Sequence, residues 1–293
     1  MKTGFCCLYG LANAGKSTLL NAILGVKVEA VSPKPQTTRF NVQGIYNDAD
    51  SQIIFIDTPG LHVPHGKLGQ ILLKDAEDAK ESVDVLIYVI DGSAKKISET
   101  LLAALQDVKI PIIAVFNKID AVRLDEGQAR LAEYKKRLPQ AEFIEMSALT
   151  KYGVADLIKL IKAHLKEGVA YFPPDQLIDR PEKFVWAEMI REKCMVNLEQ
   201  EVPHAIHVEI VKSEEDKKTQ KKIIYADIIV EKDSEKAIVI GHNGQMLSKI
   251  RHHAEHSIAN FTQEDVELRL YVKVVPDWRN NLAKLKEYGY KDS

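Results

Sequence analysis

The stretch Gly10-Leu11-Ala12-Asn13-Ala14-Gly15-Lys16-Ser17 constrains this chain more than any other. An apolar run, Phe5 to Tyr9, leads into it, and Thr18-Leu19-Leu20-Asn21-Ala22-Ile23-Leu24 follows. Strand, glycine loop and helix in that order are the setting in which G-x-x-x-x-G-K-[ST] cradles phosphate. Gly10 and Gly15 permit backbone angles that a Cβ opposes. The N–H groups along Asn13, Ala14, Gly15, Lys16, Ser17 and Thr18 are then expected to line a concave anion site, reinforced by the positive end of the helix. Lys16 supplies a point charge for the terminal phosphates, and the Ser17 hydroxyl is placed for Mg²⁺.

Two further stretches fit sensors of the terminal phosphate. Glu29 to Arg39 contains two prolines and reads as a loop between the first helix and the next strand. A threonine there can give its hydroxyl to Mg²⁺ and its N–H to the γ-phosphate. Thr37 and Thr38 both qualify, with Thr38 preferred. Val42 to Tyr46 and Gln52 to Ile56 then form an antiparallel hairpin around Asn47-Asp48-Ala49-Asp50-Ser51. Its second strand ends in Asp57-Thr58-Pro59-Gly60, which places Asp57 as a magnesium partner and the Gly60 N–H near the γ-phosphate. Position 61 is Leu61, which cannot orient an attacking water as a glutamine would. Backbone, a residue of the mobile segments or a partner must hold that water; His62 and His65 read as exposed loop residues.

The choice of base is written further on. Asp84 to Ile90 and Ile110 to Phe116 are apolar runs that fit buried parallel strands, and the second delivers Asn117-Lys118-Ile119-Asp120. The Asp120 carboxylate only accepts, and guanine offers it two donors, N1–H and the 2-amino group. Asn117 is expected to hold the base edge and brace the phosphate loop, and Lys118 to lay its stem on the ring face. A short strand, Glu142 to Glu145, ends in Met146-Ser147-Ala148-Leu149, where the Ala148 N–H is expected to face guanine O6. A helix from Val154 to Leu165 closes this half. The expectation is a guanine-nucleotide-binding α/β domain over residues 1–168, its site at the carboxyl ends of the strands.

Gly168 to Asp175 breaks the last helix, and residues 169–182 read as a linker. Residues 183–293 then run helix, strand, strand, helix, Gly-x-x-Gly, helix, strand. The pieces are Phe184 to Leu198, Ala205 to Val211, Ile223 to Val230, Glu235 to Ile240, Gly241-His242-Asn243-Gly244, Gln245 to Ala259 and Val266 to Val274. Val185, Met189, Cys194 and Leu198 fall on one face of the first helix. This is the order of a type II KH module, whose Gly-x-x-Gly loop clamps a single-stranded RNA backbone. The candidate RNA residues are Ile240, Gly241, His242, Asn243, Gly244, Lys249, Arg251 and His252, with Ile238 on the adjoining apolar surface.

Composition narrows the partners. The 293 residues suit about two domains. The net charge of −2 argues for no particular partner, and the second half carries about as many acids as bases, so any RNA contact should be narrow, single-stranded and sequence-sensitive. No apolar run approaches the roughly 20 residues of a membrane span, and a secretion signal is not expected. Cys6, Cys7 and Cys194 lack metal spacing and read as reduced core residues.

A guanine-nucleotide domain followed by this KH order resembles the Era family of GTPases across nearly the whole chain. The resemblance rests on Gly10 to Ser17, Gln36-Thr37-Thr38-Arg39, Asp57 to Leu61, Asn117 to Asp120, Ser147-Ala148, Gly241 to Gly244 and the ending Tyr271 to Arg279. It implies a P-loop GTPase domain with a mixed, mostly parallel six-stranded sheet and helices on both faces, followed by an α+β KH domain. It implies slow hydrolysis of GTP to GDP, with Lys16, Thr38, Gly60 and Asn13 acting at the phosphates and Mg²⁺ on Ser17, Thr38 and Asp57. Related GTPases with an asparagine where Asn13 stands use K⁺ beside the phosphates. It also implies a cytoplasmic monomer that binds the 3′ end of small-subunit ribosomal RNA and assists small-subunit maturation, with peripheral association with the inner face of the cell membrane. Ala12 and Leu11 depart from the family's usual proline and basic residue, and neither removes an N–H donor. Two other readings stay open: an RNA-binding assembly protein with a static nucleotide, and a GTPase acting on a protein or membrane without RNA.

Overall fold

The structure, a computed structural model, describes residues 1–32, 34, 37–59, 68 and 83–290. They fall into two compact units. One holds the described residues of Met1–Val26, Thr38–His62 and Leu72–Asp179; the other holds those of Lys27–Thr37, Val63–Ile71 and Arg180–Ser293.

The first unit is built on a sheet of six long strands: β1 (Lys2–Tyr9), β2 (Val42–Asn47), β3 (Ser51–Asp57), β4 (Val85–Asp91), β5 (Ile112–Asn117) and β6 (Glu142–Glu145). Their order is β2-β3-β1-β4-β5-β6, with only the β2–β3 pair antiparallel. The expected six strands gain a seventh, β7 (Lys166–Glu167), antiparallel to Lys2 and Thr3. It forms because Leu165 leaves the preceding helix in an extended conformation with its side chain buried, laying the next two residues beside β1. Among the described residues four helices cover the sheet: α1 (Lys16–Leu24), α2 (Glu99–Gln106), α3 (Leu124–Arg137) and α4 (Val154–His164). β4 shows why both faces need cover. Val85, Ile87 and Val89 pack in one core with Leu19, Leu20 and Ile23 of α1 and Leu157, Ile158 and Ile161 of α4. Leu86, Tyr88 and Ile90 pack in another with Leu101, Leu102 and Leu105 of α2 and Leu131 and Tyr134 of α3. A strand buried on both sides reads as an unbroken apolar run. Register then sets Leu8 beside Asp57 and Asp91 beside Asn117, so polar residues gather at the carboxyl ends.

The expected linker is partly structured. The Ile45 N–H donates to Leu177 O at 2.8 Å, the Asp179 N–H to Gln43 O at 3.1 Å and the Gln43 N–H to Asp179 Oδ1 at 2.9 Å. These bonds satisfy edge strand β2, whose exposed amides would otherwise invite foreign pairing.

In the second unit the expected order is present: α5 (Glu182–Asn197), β8 (His207–Glu215), β9 (Lys222–Val230), α6 (Asp233–Ile240), α7 (Gln245–Thr262) and β10 (Val266–Val274), with a final short α8 (Leu282–Glu287). The sheet order is β10-β9-β8, with β9–β10 parallel and β8–β9 antiparallel. Val185, Met189, Cys194 and Leu198 are buried, as their spacing predicts. Glu188, Arg191 and Glu192 of α5 are buried as well, which their spacing does not predict. Residues of Lys27–Thr37 are bound to that helix. Lys27 Nζ and the Val31 N–H donate to the two Glu192 carboxylate oxygens at 2.6 and 3.2 Å, and Arg191 donates to Thr37 O. In the family-like ending, Trp278 is fully buried with Nε1 donating to Ala205 O at 2.9 Å, and Arg279 pairs with Glu231.

Candidate nucleotide and nucleic-acid sites

The phosphate loop is shaped by close approach of its neighbours. Gly10 has φ +154°, and a Cβ there would lie 2.5 Å from Val89 O. Gly15 has φ +99°, and a Cβ there would lie 2.3 Å from Asn117 Nδ2. Both positions therefore require glycine. Asn13, exposed, adopts the left-handed φ of 63° that asparagine tolerates. Ala14 and Lys16 are buried; Ser17 and Thr18 are half-buried. Helix α1 starts at Lys16 with no acidic residue in its own first turn to offset its positive end. Lys16 Nζ donates to Gly10 O at 3.2 Å and Leu11 O at 3.1 Å. Burial lowers its pKa, and the nearby Asp57 carboxylate opposes that.

Three oxygens meet at the foot of this loop. Ser17 Oγ lies 2.6 Å from Thr38 Oγ1 and 2.6 Å from Asp57 Oδ2. The two candidate threonines are placed differently. Thr37 Oγ1 donates to Lys34 O at 2.6 Å and meets Ser32 Oγ at 2.9 Å. Among the described residues, the fully buried Asp57 Oδ1 has no hydrogen-bond partner. Two hydroxyls and a carboxylate with an unused buried oxygen are hard donors, and they fit Mg²⁺. Burial pushes the Asp57 carboxyl up to about 6, against the opposing pull of Lys16 and the Ser17 hydroxyl. The proton favoured by burial competes with the cation for the same oxygens. Mg²⁺-dependent GDP binding should therefore be full above this value and weaken as pH falls through about 6. Titrating Mg²⁺ at pH 5.5 and 7.5 checks this, and equal magnesium dependence would contradict it. Gly60, Leu61, His62 and His65 lie outside the described residues, as does Gln36.

The residues expected to meet the base sit on two turns tied by one amide. Asn117 is buried at the end of β5; its Nδ2 donates to Ala14 O at 2.9 Å and its Oδ1 accepts from the Ala148 N–H at 2.9 Å. The bracing role expected of Asn117 thus has its geometry. The Ala148 N–H differs from expectation, because it donates to Asn117 instead of standing open to a purine oxygen. Lys118 has a left-handed φ of 63°, and its Nζ reaches Asp91 Oδ2 at 2.7 Å. Asp91 is absent from the sequence-based site; the signal was an acid and a glycine at a strand end. Asp120 is exposed on the short turn Ile119–Ala121. Ser147 is buried and its Oγ accepts from the Thr150 N–H at 3.1 Å, while Leu149 is exposed.

The Gly-x-x-Gly loop joins α6 to α7 through a tight turn, His242–Gly244. Gly241 has φ +71°, and a Cβ there would lie 2.6 Å from Met246 Cβ. Gly244 has φ +76° but open space around it. Asn243 is also left-handed, with φ 49°. His242, Asn243, Lys249 and His252 are exposed, and Ile238 and Ile240 border them. Arg251 is less available than expected: it pairs with Glu255 at 2.8 Å, and Glu255 also accepts the Leu268 N–H. The pair keeps one arginine N–H fixed to protein.

Comparison with known proteins covers both units. Residues 5–118 match the family described as 50S ribosome-binding GTPase, and residues 201–279 match the KH domain family. The chain is 43% identical to GTPase Era of Clostridium acetobutylicum over 292 residues, covering 99% of this chain and 98% of that protein. It is 41% identical to GTPase Era of Clostridium beijerinckii, with the same coverage. Among solved structures it superposes with a TM-score of 0.93 on a point variant of Aquifex aeolicus Era bound to GDP·AlF4⁻, at 35% identity and 99% of each chain. The same values hold for Era in complex with MgGDPNP and nucleotides 1506–1542 of 16S ribosomal RNA. With relatives this similar over their full lengths, the chain belongs to the Era family of GTPases, a G domain followed by a KH domain.

Proposed function

We propose that this chain is a GTP-hydrolysing switch that binds the 3′ end of small-subunit ribosomal RNA through its KH unit and assists small-subunit maturation. The observation that carries the reading is the full-length similarity to an Era holding MgGDPNP and a 16S ribosomal RNA fragment together. In this reading Asp120 accepts the two donors of guanine. The loop amides from Asn13 to Thr18 and the Lys16 ammonium hold the β- and γ-phosphates. Magnesium on Ser17, Thr38 and Asp57 supplies positive charge against the phosphate oxygens. Thr38 reports the γ-phosphate, because its hydroxyl already lies beside Ser17. Leu61 carries no group that can orient water, so the intrinsic rate is slow. The reading extends to K⁺ beside Asn13, and to a monomeric cytoplasmic protein with peripheral attachment to the inner face of the cell membrane. No described helix is long and apolar enough to cross a membrane. Hydrolysis in K⁺ against Na⁺, sedimentation and vesicle flotation address these in turn.

The RNA part is tested at the two loop glycines. Gly244 has open space, so Gly244→Asp adds a carboxylate without a clash. Aspartate tolerates positive φ, so the fold should hold. Repulsion from the phosphodiester backbone should weaken binding of a short single strand by about tenfold or more. Gly241→Asp should also loosen the loop, because its Cβ would overlap Met246. Unchanged affinity in both variants would remove RNA from the reading.

A further inference from the structure

Asp91 ends β4 beside Asn117, which ends β5. In sequence it only closes an apolar run. In the structure its Oδ2 accepts from Lys118 Nζ at 2.7 Å, while its Oδ1 accepts from the Ser93 N–H at 2.9 Å and Ser93 Oγ at 2.5 Å. The turn after it is pinned from two sides. The Gly92 N–H donates to Asn117 O at 2.8 Å, and Arg130 of α3 donates to Gly92 O. A Cβ at Gly92 would lie 2.7 Å from Asn117 O, so only glycine lets the turn approach this closely. Asp91 therefore stands on a braced support beneath the segment that begins base recognition.

Lys118 needs such support. Its backbone is left-handed, which is uncommon for lysine, and its long stem has several rotatable bonds. With Nζ held by Asp91, the end of the stem, Lys118 Cε, lies 4.0 Å from where a Cβ on Gly15 would stand, beside the phosphate loop. The pair is neither sealed nor loose, with side chains 32% and 22% exposed, so a ring can approach the stem. Burial alone would raise the Asp91 pKa, but hydrogen bonds from Lys118 and Ser93 outweigh it and keep the carboxyl ionised.

We propose that Asp91 is a positioning residue for base recognition, fixing the Lys118 stem alongside Gly15 so that it meets the purine face already ordered. The proposal rests on the reading that Asn117 to Asp120 bind guanine. Asp91 touches no nucleotide; it removes an ordering cost that a free lysine would meet on binding.

Asp91→Asn tests it, because asparagine keeps an oxygen for Ser93 and loses the charge that holds Lys118. GDP affinity should fall about five- to tenfold, the effect of ordering one flexible side chain. Affinity for inorganic tripolyphosphate, which has no base, should stay unchanged. Lys118→Met, which leaves Asp91 in place, should lower GDP affinity, and adding Asp91→Asn to it should change nothing more. Unchanged GDP affinity in Asp91→Asn, or an equal further loss in the Lys118→Met background, overturns the proposal. Parallel loss of tripolyphosphate binding also overturns it, since that marks general damage. Failure of the unmodified chain to bind GDP would overturn the guanine reading itself.

Discussion

Asp120→Asn should convert the chain from a guanine to a xanthine nucleotide binder. Guanine gives Asp120 two donors, and the carboxylate can only accept. Xanthine has a carbonyl where guanine has the 2-amino group. An asparagine amide can donate to that carbonyl and still accept from N1–H. Guanine would then set its amino group against the new NH₂, with one donor unpaired. A site built around a hydrogen-bonded group rejects the mismatched ligand by about 10⁴-fold. The preference for GDP over XDP should therefore reverse. The fold should be unaffected, because Asp120 is exposed on a turn anchored through its neighbour, with the Ile119 N–H donating to Met146 O at 3.4 Å. Competition between XDP and GDP for both proteins reads the change. A variant that keeps its preference for GDP would move base recognition away from Asp120.

What the sequence disclosed follows from how local each feature is. The phosphate loop and the Gly-x-x-Gly turn depend on glycine conformations and the helices they start, all within a few residues. The strands carrying Asp57 and Asn117 were visible as apolar runs ending in a polar residue. Contacts between distant segments were not visible. Ala148 lies 31 residues from Asn117, and nothing near it in sequence marks its N–H as engaged. Asp91 lies 27 residues from Lys118. Helix α3 buries only Gly127, Leu131 and Tyr134, a stripe too thin to stand out in a charged segment. β7 is two residues long and exists because β1 has room beside its first two residues. The buried charges of α5 were hidden for the same reason. Arg191 and Glu192 take partners from Lys27–Thr37, and Glu188 is buried as the counter-ion of Arg191, neither of which periodicity sees.

Those buried charges carry the other large expected effect. Arg191 Nε donates to Glu188 Oε1 at 2.8 Å, and the two side chains are 1% and 6% exposed. Burial opposes the guanidinium charge, but the Glu188 carboxylate outweighs it and raises the Arg191 pKa, so the pair stays ionic. Arg191→Met removes one partner and leaves Glu188 as a buried, uncompensated carboxylate, and it takes away the donor to Thr37 O. Breaking such a pair costs about 3–5 kcal/mol. That is a large share of the roughly 5–15 kcal/mol that holds a typical domain together. Both tryptophans, Trp186 and Trp278, lie in the second unit, so their fluorescence during urea unfolding reports on that unit. The midpoint should fall sharply in Arg191→Met. Adding Glu188→Leu should restore much of the loss, because a neutral apolar pair no longer buries a lone charge. An unchanged midpoint in the single variant would mean that the pair is solvated or replaced, and that α5 owes its buried side to apolar packing alone.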